Sequence, residues 1–344
     1  MTDEFDTSPE KEARITQYLY RQLFVHTPAV SRQEVNLRGK TAIITGSNSG
    51  IGLESARQLL DLGLSRLILA VRDESKGEAA RANLLYGRDL KLSAIEVWKL
   101  DYLSYDSVTN FVKRTDDLTN LDIVVLNAGV YRFEFGLSAG HEEDIKVNYL
   151  STMLLAMLIL PILKAKKLGT RPGRLVVVTS DVAAWCTFKE RHSIPLLPAF
   201  DMRTKQFDPH ERYAVSKLLG QIFLKELAQR VPPSAVVVSC VTPGFCRGSQ
   251  LGRDTVGTIF GYFFKTLQWL IGRSTSEGAS VVVDAVVRHG EEAHGKYLQD
   301  GKITPMAPIV YTTEGEYVTK LLWKETMNEF SFAGVEEAVR SMRE

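Results

Sequence analysis

The stretch at residues 41–60, TAIITGSNSGIGLESARQLL, constrains the fold most strongly. It starts with an apolar, partly β-branched run, which predicts a buried strand of a parallel sheet. Beyond residue 52 the apolar residues recur at helical spacing, which predicts a helix. The glycines of the stretch therefore lie at the turn from strand to helix: Gly46, Gly50 and Gly52.

A turn of this kind suits the phosphates of a nucleotide. Glycine lets the backbone turn sharply and approach a diphosphate, and the first N–H groups of the helix point at the anion. The residues predicted to bind the cofactor here are Gly46, Ser47, Asn48, Ser49, Gly50, Ile51 and Gly52. The order G-x-x-x-G-x-G differs from G-x-G-x-x-G, so the general dinucleotide fingerprint fits only in mechanism. A tight turn without a ligand is the alternative.

From Lys40 onward, strand-like apolar runs alternate with helical segments, which predicts an α/β fold with a doubly wound parallel sheet, that is, a Rossmann fold. The predicted strands are residues 41–45, 66–71, 94–100, 122–127, 174–179 and 235–241. No internal repeat or low-complexity linker marks a second core. We therefore predict a single domain over residues 39–303, with an N-terminal extension at 1–38 and a C-terminal extension at 304–344.

The N-terminal extension is predicted to be partly helical, with an apolar face that packs on the main body. The residues at helical spacing that support this are Ile15, Tyr18, Leu19, Leu23 and Phe24.

Composition excludes several classes of protein. Lys and Arg number 42 against 41 Asp and Glu, so no overall field attracts nucleic acid, and we expect no such partner. The three cysteines are an odd number without metal-ligand spacing, which argues against a disulfide framework and a metal site. The polar, acidic start MTDEFDTSPEKEAR lacks an apolar signal segment, so we expect a cytoplasmic protein.

Two apolar stretches need an explanation other than a membrane span. Residues 152–163 are too few, contain Pro161 and lead into lysines, which favours a buried helix. Residues 256–272 are aromatic and interrupted by Lys265. We interpret them as a cap over an apolar substrate, within a cap region at about 245–275; packing in the core or a homodimer, and contact with a membrane surface, are the alternatives.

Tyr213 and Lys217 carry the strongest chemical signal, because residues four apart lie on one face of a helix. An ammonium beside a phenol stabilises the phenolate and lowers its pKa from about 10 toward the working pH. Ser180 follows a predicted strand, at the edge where open α/β sheets bind their ligands. An amphipathic helix with its lysine in solvent is the alternative for this spacing.

In this order, the motifs resemble the short-chain dehydrogenase/reductase family over residues 38–303: Thr45-Gly46-xxx-Gly50-Ile51-Gly52, Asn127-Ala128-Gly129, Asn148, Ser180, Tyr213-xxx-Lys217 and Pro243-Gly244. Within that family, LAVRDESKG, TSEGAS and GKY resemble the branch of retinol-dehydrogenase-like enzymes and fungal natural-product ketoreductases.

The resemblance implies a catalytic set of Asn148, Ser180, Tyr213 and Lys217. Tyr213 would exchange a proton with the substrate oxygen that Ser180 holds, while nicotinamide carries the hydride. Lys217 would also bind the nicotinamide ribose, and Asn148 would hold a water for proton resupply. The further cofactor-binding residues that it implies are Asp101, Asn127, Ala128, Gly129, Pro243 and Gly244.

Arg72 follows the second strand, where its planar guanidinium suits a 2′-phosphate, so we expect NADP(H). The alternative is NAD(H), with Asp73 bound to the ribose. Asp101 could equally cap the next helix.

The chain departs from the family pattern in two places. Beyond Pro243-Gly244 it lacks the usual threonine, for which Ser249 could substitute. The interval from Ser180 to Tyr213 is long, and its apolar residues suggest the wall of a large pocket. A structural insertion without substrate contact is the alternative there.

These features together predict an NADPH-dependent enzyme that interconverts a ketone and a bulky, apolar secondary alcohol, such as a secondary-metabolite intermediate. A retinoid or steroid is the alternative substrate. A dinucleotide-binding protein with a scaffold or non-redox role is the competing class.

Overall fold

The computed structural model describes residues 5–204, 206–249, 251 and 259–344, with the side chains of 259, 260 and 262–264 also left out of the description. Eight described strands form the main sheet: β1 (Thr41–Thr45), β2 (Arg66–Val71), β3 (Ile95–Lys99), β4 (Ile123–Leu126), β7 (Gly173–Val178), β8 (Val236–Thr242), β9 (Tyr297–Gln299) and β10 (Lys302–Thr304). A separate hairpin consists of β5 (Leu137–Ser138) and β6 (His141–Glu142).

The main sheet has the spatial order β10-β9-β8-β7-β4-β1-β2-β3, and all neighbours are parallel except the β9–β10 pair. Neighbouring strands that are distant in sequence require crossover connections, so the sheet is doubly wound as predicted. All six predicted strands are confirmed to within a residue at each end. The sequence interpretation missed β9, β10 and the hairpin, because runs of two or three residues carry no periodic signal.

The helices are α1 (Pro9–Glu12), α2 (Ile15–Phe24), α3 (Gly50–Asp61), α4 (Glu74–Leu85), α5 (Tyr105–Arg114), α6 (Thr152–Lys166), α7 (Leu197–Phe200), α8 (Pro209–Ala228), α9 (Ile259–Ile271), α10 (Thr275–Val287), α11 (Thr313–Glu329) and α12 (Val335–Arg340). One hydrophobic core joins the sheet to α5, α6, α8, α11 and α12, and a second joins the opposite face to α3, α4 and α10. Burial on both faces explains why the central strands are continuous apolar runs.

The most apolar helix lies inside the molecule. Together with the helical turn before it, α6 covers residues 145–166, the one stretch in the described ranges that is long and apolar enough to cross a membrane. Of its most apolar window, 83% is buried against the protein, as in a core helix. The prediction of a buried helix at 152–163 is confirmed, although the helical stretch is longer than its apolar centre.

The N-terminal extension forms α1 and α2, but most of the predicted apolar face of α2 points away from the body. Four of its five predicted residues are exposed, with Phe24 69% accessible, whereas Tyr18 is half-buried against Trp185. Gln22, by contrast, is only 4% accessible. The predicted helix is present, but the predicted packing face is wrong except at Tyr18, because hydrogen bonds and ion pairs of polar side chains make the other contacts with the body.

The long interval between Ser180 and Tyr213 is a packed insertion. Phe188 and Phe200 are buried and stacked, with ring centroids 6.4 Å apart. The backbone N–H groups of Leu196 and Leu197 each donate a hydrogen bond of 2.8 Å to the Glu325 carboxylate on α11. These contacts favour a structural insertion over the predicted pocket wall.

The predicted cap lies partly outside the described residues, which omit 250 and 252–258. The described part includes α9, on which Trp269 and Leu270 are 71% and 62% exposed.

Candidate active site and cofactor cleft

The glycine-rich turn is held by hydrogen bonds between side chains and backbone groups at adjacent strand ends. The Thr45 hydroxyl accepts hydrogen bonds of 3.0 Å from the N–H groups of both Asn127 and Ala128. The Asn127 side-chain amide donates to the Thr45 and Gly46 carbonyls at 3.0 and 3.3 Å. Asn127 therefore supports the turn, a role that adds to its predicted contact with the cofactor.

Two of the glycines have backbone conformations that other residues rarely adopt, with φ of +65° at Gly46 and +57° at Gly50. Gly52 is required for space: a Cβ there would lie 2.5 Å from the Asn127 amide nitrogen and 2.6 Å from the Gly46 carbonyl oxygen. A bare backbone at these positions is what close approach of a diphosphate needs.

The remaining residues of the turn open the N-terminus of α3 toward the cleft. Ser47 is buried and donates to the Ile44 carbonyl, whereas Asn48, Ser49 and Ile51 are half-buried. Ser49 is the N-cap, but its side chain makes no capping hydrogen bond. The first N–H groups of α3 therefore have no side-chain acceptor from the cap and can bind an anion.

At the end of β2, Arg72 and Asp73 have different environments. Arg72 is exposed, and no hydrogen bond or ion pair joins it to another residue in the described ranges. Asp73 caps α4, because its carboxylate accepts from the N–H groups of Ser75 and Lys76 and from the Ser75 hydroxyl at 2.6 Å. Arg72 is thus available for a phosphate, while Asp73 is engaged.

Asp101 lies after β3 and forms a local turn. Its carboxylate accepts from the Leu103 N–H at 3.0 Å, and its own N–H donates to Ser107. Ser104, not Asp101, is the N-cap of α5, so the capping alternative is wrong.

Asn148 lies in a π-helical turn, Ile145–Ser151, that precedes α6. Such wide turns are common at functional sites because they displace a side chain from the regular ladder. The Asn148 side chain accepts from the Val130 N–H at 2.8 Å and donates to the Val130 carbonyl and the Ser216 hydroxyl, both at 2.9 Å. Together, these three hydrogen bonds fix the orientation of the Asn148 side-chain amide.

Lys217 and Asn148 both face Gly129. A Cβ on Gly129 would be 3.1 Å from the side-chain amide oxygen Oδ1 of Asn148 and 3.2 Å from Lys217 Nζ, so a side chain there would crowd both groups. Nζ also donates to the Val178 carbonyl at 3.2 Å. Burial lowers the pKa of Lys217 to about 8, although the nearby Asp144 charge opposes this shift.

Tyr213 is buried and interacts with Ser180 through their side chains. Burial raises the pKa of the Tyr213 phenol above its ordinary value; the Asp144 charge adds to this and the hydrogen bond with Ser180 opposes it. Lys217 Nζ lies 5.7 Å from the ring centroid of Tyr213. The expectation that Lys217 lowers this pKa is therefore wrong for the net shift, because desolvation is the larger effect.

Sequence reasoning missed several residues that hold this set together. The Ser216 hydroxyl donates to the Tyr213 carbonyl at 2.7 Å and accepts from Asn148. The Tyr131 ring packs edge-on against Tyr213, with centroids 5.1 Å apart. In the sequence, only position could have indicated these roles: Ser216 lies inside the Tyr-x-x-x-Lys segment, and Tyr131 lies just after Asn127-Ala128-Gly129.

Pro243 and Gly244 follow β8 and border the same edge of the sheet. Gly244 has a φ of +75°, and a Cβ there would meet Gln22 Oε1 at 2.9 Å. The loop beyond them reaches back to the glycine-rich turn, since a Cβ on Gly50 would lie 3.6 Å from Ser249 Cα. These contacts join the glycine-rich turn to Asn127 and to the loop at Ser249, at the same edge of the sheet.

A Rossmann fold with these groups at the carboxyl edge defines an oxidoreductase-like site. Comparisons with known proteins identify the family. A model described as short chain dehydrogenase matches residues 40–188. The chain is 50% identical over 343 residues to the short-chain dehydrogenase fogG of Aspergillus ruber, covering 98% of each chain. It is 44% identical over 333 residues to the short chain dehydrogenase/reductase mfmJ of Annulohypoxylon moriforme, covering 94% of each.

Among solved structures, a short chain dehydrogenase from Shigella flexneri complexed with NADP superimposes with a TM-score of 0.56 at 18% identity, covering 77% of this chain and 98% of that one. This likeness supports the fold. The chain belongs to the short-chain dehydrogenase family, a family of oxidoreductases, as the motifs predicted.

Proposed function

We propose that the protein is an NADPH-dependent reductase that interconverts a ketone and a secondary alcohol on a bulky, largely apolar substrate. One observation carries the proposal: Tyr213, Ser180, Lys217 and Asn148 converge at the carboxyl edge of the sheet, beside the glycine-rich turn.

The position of Tyr213 beside Ser180 supports a role as proton donor in reduction. A phenol is protonated at neutral pH, and burial keeps Tyr213 in this form, which can donate a proton to a carbonyl oxygen. Ser180 interacts with the same phenol and is placed to hold that oxygen. Lys217, with a pKa of about 8, exchanges protons near neutral pH and, beside the fixed amide of Asn148, can resupply Tyr213.

The residues around the turn fit a dinucleotide. Gly46, Gly50 and Gly52 leave the backbone bare, and the N-terminal N–H groups of α3 can hold a diphosphate. NADPH would supply the hydride when bound. The free guanidinium of Arg72 and the capping role of Asp73 support NADPH over NADH. The NADP bound to a structural neighbour points in the same direction.

For the substrate, we propose an intermediate of secondary metabolism, processed in the cytoplasm. The similarity to proteins of Aspergillus and Annulohypoxylon supports this class. A comparison of metabolites in a strain lacking the protein with its parent strain would identify the accumulating ketone.

The direct test measures NADPH consumption at 340 nm with a panel of apolar ketones, including retinoid and steroid carbonyls. Turnover of one ketone class identifies the substrate type. Cofactor binding without turnover across the whole panel would instead support a scaffold or non-redox role.

Tyr213→Phe tests the assigned proton donor. We expect turnover to fall about 10²-fold or more, because the acid is lost while the ring and its contact with Tyr131 remain. NADPH affinity, measured by cofactor fluorescence, should stay nearly unchanged. Retained turnover would remove Tyr213 from this role.

A further inference from the structure

The N-terminal extension packs against both loops that flank the candidate active site. Its helix α2 presents a polar face to them, on which the Arg21 side chain is 11% exposed and Gln22 is 4% exposed. Polar side chains are rarely buried to this extent unless they are paired.

Arg21 holds the residue next to Ser180. Its Nη2 donates to the Asp181 carboxylate at 3.1 Å. The same carboxylate accepts a 2.8 Å hydrogen bond from the Thr242 hydroxyl on β8 and another from the Gln299 side chain on β9. Asp181 thus joins α2 to two strand ends, directly beside a residue of the catalytic set.

Gln22 holds the loop that follows Pro243 and Gly244. Its amide nitrogen donates to the Phe245 and Ile271 carbonyls, both at 2.8 Å, and its oxygen accepts from the Phe245 N–H at 3.0 Å. One side chain therefore satisfies three backbone groups of two segments. Gln22 thus adds to the hydrogen bonds by which Arg273 holds the same loop.

A third attachment follows Ser180 by five residues. The indole N–H of Trp185 donates to the Ala13 carbonyl at 2.7 Å. Its ring packs edge-on against Tyr18, with centroids 4.8 Å apart. Residues 181–185 are therefore held by the extension at both ends.

The charges in this region form one buried network. Arg21 also pairs with Glu12 and lies 3.8 Å from the Asp300 carboxylate. Arg273 pairs with Asp300 and donates to the Arg21 and Val25 carbonyls. Removal of one member leaves an uncompensated buried charge, so the network favours a single arrangement of the extension on the loops.

We propose that the N-terminal helix α2 positions two elements of the active site. Arg21 positions Ser180 through Asp181, and Gln22 positions the Pro243–Gly244 loop. The proposal rests on the proposed reductase function. It gives the extension a role in turnover that the family motifs, which begin after it, do not include.

The test compares Arg21→Met with Arg288→Met. Arg288 also attaches the extension to the body, through Glu34 at 2.6 Å and the Pro28 carbonyl, but forms no hydrogen bond or ion pair with a site residue in the part of the chain that the structure describes. We expect Arg21→Met to lower kcat about 10-fold or more, because small displacements of a catalytic group are costly, with KM for NADPH nearly unchanged. Arg21→Lys should recover part of kcat, and Arg288→Met should keep wild-type kcat.

Hydrogen exchange on the NADPH-loaded protein provides a readout independent of activity. Amides of residues 179–186 should exchange faster in Arg21→Met than in wild type and Arg288→Met. If Arg21→Met does not fold, the double variant Arg21→Met/Asp181→Asn, which removes both charges, takes its place. Wild-type kcat or unchanged exchange at 179–186 would overturn the proposal. If wild type reduces no carbonyl, the proposed function fails, while the exchange measurement still decides the positioning role.

Discussion

The glycine-rich turn and the loop that carries Ser180 lie at the same edge of the sheet but are held in different ways. The turn is stabilised by its own backbone and by Thr45 and Asn127 from adjacent strands. The loop is held by side chains of α2, about 160 residues earlier in the chain. The neutral hydrogen bonds and bare glycine backbone of the turn tolerate little change in shape, whereas support by charged side chains depends on the charge of their partners and on pH.

This difference separates the expected effects of substitution. Changes at the turn should act through steric fit and cofactor binding. Substitutions in regions that are held by charged side chains from distant parts of the sequence should act by removing or unbalancing those charges.

The largest expected effect is at Gly52. Gly52→Ala should destabilise the protein by about 2–3 kcal/mol and weaken NADPH binding, because the added Cβ would overlap the Asn127 amide and the Gly46 carbonyl. The matched control is Gly220→Ala in α8, where no described atom beyond the chain neighbours and the helix's own backbone lies within 4 Å of the added Cβ. There we expect a gain of about 0.5–1 kcal/mol. Urea denaturation checks both; equal effects would contradict steric control of the turn.

A smaller effect is expected at Arg72. Arg72→Ala should reduce the preference for NADPH over NADH about 10-fold, or ~1.4 kcal/mol, because a charge-assisted contact with the 2′-phosphate is lost. The control Arg81→Ala removes a guanidinium that pairs with Glu78 on α4. Steady-state kcat/KM with each cofactor is the measurement. An unchanged preference in Arg72→Ala, or a changed one in Asp73→Asn, would assign recognition elsewhere.

The smallest expected effect concerns His141 in the hairpin β5–β6, which contacts Asp201 at 3.2 Å and Glu329 of α11 at 2.9 Å. Burial alone would lower the pKa of His141, but its hydrogen bonds with these carboxylates raise it to about 9. Because the folded pKa exceeds the unfolded value, the stabilisation is fully present below about pH 6.5 and is lost as pH rises through about 9.

We therefore expect His141→Gln to cost about 1 kcal/mol more stability at pH 6 than at pH 10, a value reduced for solvent screening. Urea denaturation at the two pH values measures the difference. A cost that does not vary with pH would show that His141 is not charged in the folded protein.

Much of the fold and of the candidate site could be predicted from sequence. Periodicity determines strands and helices locally, so the six longer strands and the turn at Gly46–Gly52 were found. The four-residue spacing of Tyr213 and Lys217 places both on one helical face wherever the helix packs. The net pKa shift of Tyr213 could not be predicted, because it depends on burial and on Asp144, 69 residues earlier.

The sequence by itself determined the strand–turn–helix unit, the Tyr213–Lys217 pair and the family, because these depend on short spacings along the covalent chain. Only the tertiary structure decided which face of α2 is buried, and that Arg21 and Asp181 meet. Apolar periodicity predicts that a helix has two faces, but which face packs depends on the partner surface. Here that surface is an edge of charged and backbone polar groups, which a polar face satisfies and an apolar face would leave unpaired.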